Sequence, residues 1–353
     1  MKARILIGLV LASGLAQAQT AMLLALSKGD HTLSIIDPAT LKVLAKMPSG
    51  EDPHEVVASS DGKYAYISNY GGGAYNTITV ADLAAQKTVE TIDLGALRGP
   101  HGLAFAGGKL WFTAEAAKAI GTYDPATKKI DWILGTGQNR THMIYVSNDL
   151  KTIVTSNVSS ATMTIIEKAA PQGRGPGGGR GPGGGRGPGG PGRGRGPGGP
   201  SPQPDWNETV IPVGRGAEGF DVSPDGKELW AANAQDGTVS ILDLPNKKVV
   251  QTLSANVMSA NRLKFTPDGK HVLVSTLSGP DLTVFDAATR AEVKRIKIGT
   301  GAAGIEMRTD GAVAYIGCTP DDYVAIVDLK TLSVTGHIDA GKNPDGLAWA
   351  VRR

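Results

Sequence analysis

Three of the six histidines, His54, His101 and His142, recur at steps of 47 and 41 residues. Each sits two positions ahead of the first apolar residue of a strand-like run. The same position is filled farther along by Glu218, Asn261, Ala303 and Asp345. Neutral imidazoles with a carboxylate suit zinc or copper, and a carboxylate-rich subset suits calcium or magnesium. His54, His101, His142 and Glu218 are therefore candidate ligands of a divalent metal ion. An imidazole near its ordinary pKa of ~6.5 also serves as a general base. That makes His101 and His142 catalytic candidates, with Glu115 or Glu218 orienting the ring or acting as the acid. A plainer reading stays open beside these: polar side chains hydrating a wet channel, with histidine satisfying backbone groups at a turn.

A second series is expected on the same rim, at the ends of the following strands: Ser27, Asn69, Glu115, Asn157, Asn233, Thr276 and Cys318. From the two series, His54, Asn69, Asn157, Asn233, Asn261 and Asp345 are candidate ligand-binding residues. Arg98, Arg140 and Arg262 join them, with Arg215 placed similarly, because guanidinium receives carboxylate or phosphate in a fork. Gly71-Gly72-Gly73 reads as a turn, since no helix follows to make a phosphate site. His31, His271 and His337 fall outside both series. Trp111, Trp230 and Trp349 read as packing residues in strands.

What positions these residues is a repeat. Gly50 to Asn69 and Gly214 to Asn233 are versions of one unit, and a third runs through Phe265-Thr266-Pro267-Asp268-Gly269-Lys270. Asp-Gly between two alternating apolar runs is a strong hairpin signal. A third strand follows each hairpin, as in Thr238 to Asp243. A turn such as Asp37-Pro38-Ala39-Thr40 or Asp124-Pro125-Ala126-Thr127 then leads to a fourth. Four short strands make one propeller blade. The steps between equivalent positions are 47, 41, 76, 43, 42 and 42 residues, and removing the 34 residues of 171–204 from the long step restores 42. The expected fold is all-β: a seven-bladed β-propeller of four-stranded blades. Met22 to Lys46 supplies three strands of a blade and Asp345 to Val351 the missing first one. The C-terminal strand should pair with the N-terminal strands and close the ring, leaving no open edge.

Tyr66-Ile67-Ser68-Asn69, Val154-Thr155-Ser156-Asn157 and Trp230-Ala231-Ala232-Asn233 resemble the YVTN repeat. With its Pro-Asp-Gly-Lys turns, the chain resembles the YVTN-type seven-bladed propellers of the lactonase-like superfamily. One blade, from Gly99-Pro100-His101-Gly102 through Trp111-Phe112-Thr113-Ala114-Glu115, is similar to repeats of streptogramin lyases. Those are also seven-bladed propellers, and they use a His/Glu site and magnesium. The resemblance implies the fold. For activity it implies alternatives, since such propellers include binding proteins, scaffolds and enzymes.

Lys2 and Arg4, the apolar run Ile5 to Leu15 and Ala16-Gln17-Ala18 read as a signal peptide over 1–18. The expected domain is then 19–353, exported to the periplasm or beyond, with no later stretch long enough to span a membrane. Residues 171–204 are almost entirely Gly, Pro and Arg and read as a disordered insert. They carry five arginines and no acid. Without them and the two leader cations, 29 basic residues face 33 acids, a net of −4. The basic balance thus belongs to the insert, which could adhere to an anionic surface. A folded face for sequence-specific nucleic-acid binding is not expected. The single cysteine excludes an internal disulfide, and Cys318 is expected to be buried. The leading functional expectation is an exported, monomeric binding propeller that takes a small molecule or peptide at the channel mouth. The alternatives are a metal-assisted hydrolase or lyase at the same mouth, and a surface scaffold tethered by the insert.

Overall fold

The computed structural model describes residues 20–169 and 206–352. Both the leader and the Gly/Pro/Arg insert lie outside the described residues. Seven sheets of four antiparallel strands are arranged as the blades of a propeller. In chain order blades one to seven span 20–48 with 344–352, 53–93, 100–135, 141–168 with 206–212, 217–253, 260–297 and 302–338. The only helical elements among the described residues are two 3₁₀ turns. None is long and apolar enough to cross a membrane.

Local chemistry explains the strands. In the Asp-Gly hairpins, Ser59 Oγ donates to Asp61 Oδ1 at 2.7 Å, and the same oxygen accepts the Lys63 N–H at 3.1 Å. Gly62 sits at φ 66°, where a side chain would strain the turn. The motif recurs at Ser147/Asp149, Ser223/Asp225 and Thr266/Asp268. Between the turns, the second and third strands are buried on both faces, while the outer strands alternate with solvent. Both faces are apolar because each sheet packs on two neighbours. Among the described residues there are seven buried apolar clusters, one at each blade–blade interface.

Closure is as expected. Pro344–Arg352 pairs antiparallel with Thr20–Ser27, aligning Leu24 with Ala348 and Leu23 with Trp349. Its Leu347 enters the interface with blade seven and its Ala348 and Ala350 the interface with blade two. Cys318 is buried, and burial pushes its thiol up to about 12.

One local device decides where the site lies. Every inner strand begins with a bulge, so that two residues oppose one on the second strand. A bulge bends the strand and re-aims a side chain. The first bulged residue of each blade is His54, His101, His142, Glu218, Asn261, Ala303 or Asp345. In blades two, three, four and six the opposing residue is Ser68, Thr113, Ser156 or Ser275, whose hydroxyl accepts the N–H of the second bulged residue. Thr113, Ser156 and Ser275 also donate to the bulge carbonyl of the next blade, at 2.7–2.8 Å. These latches fix the bulges of adjacent blades against one another.

Candidate active and binding site at the channel mouth

The three imidazoles come together. Ring centroids lie 5.1 Å apart for His54 and His101 and 3.8 Å for His101 and His142. Tyr70 packs against both His54 and His101, at 4.7 and 5.0 Å.

His142 is 1% exposed and held between two carboxylates. Its Nδ1 donates to Glu115, and its Nε2 lies 2.9 Å from Glu218 Oε1, out of line for a hydrogen bond. Burial alone would discharge this imidazole. The charge of Glu218, then the bond to Glu115 and that carboxylate's own charge, override it and hold its pKa at about 9. Burial works against the Glu218 carboxylate too, but the His142 charge wins and brings it down to about 2. Tyr70 donates to Glu115 Oε2 at 2.5 Å, and Arg140 lies 3.5 Å from the same oxygen and 3.8 Å from Glu218. Two carboxylates, one imidazolium and one guanidinium thus form a closed, neutral network.

His101 differs. It is 3% exposed, and its buried Nδ1 has no hydrogen-bond partner among the described residues. Burial, then the charges of His142 and its neighbours, push its pKa well below the usual value, so the ring is neutral at pH 7. His54 is also lowered, by burial first. Lys28 Nζ reaches His54 Nε2 at 2.8 Å, and since an ammonium only donates, that nitrogen accepts. Lys28 also meets Asp345 at 3.3 Å and Asp52 at 3.8 Å.

Sequence position misplaced the strand-end series by one residue. Pairing sets Asn69, Ala114, Asn157, Asn233, Thr276, Cys318 and Ser27 at equivalent places. Asn69, Asn157 and Asn233 point into their own blades, not to the mouth. Asn157 Nδ2 donates to Thr162 and Thr164, Asn69 to Thr77 and Thr79, and Asn233 to Thr238 and Ser240. These asparagines tie the second strand to the third. A strand alternates faces, so the next residue points to the mouth. That next residue is Lys28, Tyr70 or Glu115 in blades one to three. Glu115 therefore belongs to the site, while Lys28 and Tyr70 were missed. Asn157→Ala is expected to cost about 1–2 kcal/mol, seen by denaturant unfolding, with binding at the mouth unchanged.

The arginines also need correction. Arg98 is exposed in its loop and does not join the cluster. Arg215 pairs with Asp236 at 2.7 Å, and Arg140 faces Glu115 and Glu218. Arg262 is bound to Glu55, and its Nη1 also donates to Asn261 Oδ1 at 3.1 Å. Arg140, Arg215 and Arg262 thus already have acidic partners. The metal set fails on geometry too. The His101 and His142 rings lie against each other at a 35° tilt, His142 sits between two carboxylates, and His54 Nε2 accepts from a lysine. No group of three or more His, Cys, Asp or Glu side chains among the described residues is arranged to hold a metal ion.

A further signal lies two residues before each bulge. Asp52, Gly99, Arg140, Gly216, Ser259, Gly301 and Asn343 all have φ between 46° and 73°. Glycine takes this region freely, while other residues pay ~1 kcal/mol or more. Arg140 and Asp52 stand there with side chains turned toward the Glu115/Glu218 and Lys28/His54 groups.

No family model and no curated protein matches this chain. Solved structures do. A functionally unknown protein from Desulfotomaculum acetoxidans superposes with a TM-score of 0.70 at 13% identity, covering 93% of this chain and 98% of its own. A candidate 6-phosphogluconolactonase from Bacteroides uniformis gives 0.69 at 14%, covering 94% and 100%. Hydrazine synthase of Kuenenia stuttgartiensis gives 0.64 at 18%, covering 84% and 89%. The likeness shows a seven-bladed propeller. At such identities it extends to the fold alone, which is the fold of lactonase-like propellers. What this propeller does has to be read from its own mouth.

Proposed function

We propose that this chain is an exported binding propeller whose His-side mouth takes a small, uncharged, hydrogen-bonding molecule such as a polyol, sugar or sugar lactone. The observation that carries this is the unpartnered Nδ1 of neutral His101, buried beside a network whose ions are mutually satisfied. A buried polar atom without a partner costs about 1–3 kcal/mol, and a ligand hydroxyl or carbonyl would relieve it. An anion or cation would have to break an existing ion pair to gain one. Export rests on the N-terminal sequence pattern.

His101→Phe tests the reading. The variant should melt no lower than the parent, because the orphaned nitrogen is gone. It should also lose every melting shift that millimolar sugars, lactones and polyols give the wild type. A variant that shifts as the wild type does would sink the proposal.

A second reading, turnover of such a ligand, is favoured by the Tyr70–Glu115–His142–Glu218 chain, which holds a charged acid next to a neutral base, His101. Consumption of lactones or esters by the wild type and not by Glu218→Gln would favour it over binding alone.

A further inference from the structure

The mouth is not the whole channel. Glu55 on the inner strand of blade two and Arg262 on that of blade six form an ion pair across it. Both side chains are nearly buried, at 13% and 7% exposure. They are the second bulged residues of their strands, one step below the His ring. Beneath this crossbar lies a chamber of about 390 Å³ that no member of the His ring lines. That volume lies within the ~300–1,000 Å³ range of ligand pockets.

Two residues below the crossbar, three neighbouring blades present Asp221, Lys264 and Glu306 to this chamber. Their hydrogen-bonding capacity is unequal. Asp221 accepts the Val222 and Phe265 N–H groups, each at 3.0 Å, one on each oxygen. Glu55 is committed to Arg262. Lys264 makes no close ion pair or hydrogen bond among the described residues, and the Asp221 charge, outweighing burial, keeps it an ammonium. Burial pushes the Glu306 carboxyl up to about 7, against the pull of Lys264, so it carries a proton through the acidic range. The chamber therefore has donors to spare and its acceptors in use. Its other walls are apolar, among them Val57, Phe105, Ala348 and Trp349.

We propose that this chamber is a second site, for a small carboxylic acid with an apolar tail, whose carboxylate is received by Lys264 and Glu306. It is independent of the mouth and of the ligand proposed there. The titratable groups that line the chamber with Glu306 are Lys264 and Arg262 from blade six, Asp221 from blade five, Glu55 from blade two and Tyr145 from blade four; blade one contributes the apolar Leu347, Ala348 and Trp349. When Glu306 loses its proton it becomes a competing anion, so binding weakens as pH rises above 7.

The test is calorimetric titration of the full chain with benzoate, phenylacetate and 4-methylpentanoate, beside benzamide and benzylamine. At least one acid should saturate at pH 6 and weaken about tenfold by pH 8, while the amide and amine bind at least tenfold more weakly. Lys264→Met should lose the acid at least tenfold, Glu306→Gln should remove the pH dependence, and His101→Phe should change neither. Saturation by none of the acids, equal binding of benzamide, or tighter binding of benzylamine with rising pH would overturn the proposal. The wild-type comparison of acid, amide and amine decides the matter even if Lys264→Met does not fold.

Discussion

A chain ended after Asn343 is expected not to fold into a stable propeller at 25 °C. The missing strand, Pro344–Arg352, is the inner strand of blade one and feeds two interfaces at once. Losing buried Leu347 and half-buried Trp349 costs about 5 kcal/mol or more, against a net stability of roughly 5–15 kcal/mol for a domain. The cut also bares the pairing edge of Thr20–Ser27, whose residues Leu23 to Leu26 are fully buried in the intact ring. An unpaired apolar edge invites aggregation. Circular dichroism melting with light scattering checks this. A truncated chain that melts cooperatively near the wild-type temperature would show that blade one closes without its last strand.

His142→Ala carries the second large effect. Removing the imidazolium leaves Glu115 and Glu218 buried without the cation between them, at a cost of about 3–5 kcal/mol. The pH dependence has a defined sign. His142 has a pKa of about 9 in the fold against 6.5 when free. Its contribution, on the order of 3 kcal/mol, is complete below pH 6.5 and is lost as pH rises through 9. Glu218, at about 2 in the fold against 4.5, contributes above pH 4.5 and loses that contribution as pH falls through 2. The network is therefore most stabilising between pH 4.5 and 6.5. Denaturant unfolding across pH should show an alkaline decline in the wild type that is absent in His142→Ala. Parallel curves for the two proteins would remove the buried ion pair from the account.

Much of this was legible in the residues. The Asp-Gly turns recur at even spacing because each hairpin needs a left-handed residue and a carboxylate to bind the turn. The blade count and the joining of tail to head follow from that spacing. The imidazole ring was legible as well, because the bulge sits at the same place in every unit. The strand ends were misread, since one residue of register separates a side chain inside the blade from one in the mouth. Asn69 and Tyr70 are neighbours in sequence with opposite directions, and counting back from Glu115 without the pairing could not separate them. The crossbar could not be foreseen either: Glu55 and Arg262 are 207 residues apart and meet only because the ring closes. Arg262, read as a receptor for an external anion, already holds an internal one. For Lys28 and Asp52 a usable cue did exist, in their fixed offsets from the bulge.

The charge states of the two adjoining imidazoles, His101 and His142, carry the whole reading of the mouth. Nitrogen-15 NMR of the histidine side chains, followed from pH 5 to pH 10, reports them directly. His142 should stay protonated on both ring nitrogens until near pH 9, while His101 stays neutral throughout. Titration of His142 near pH 6.5, or a proton gained by His101 in its place, would contradict the account.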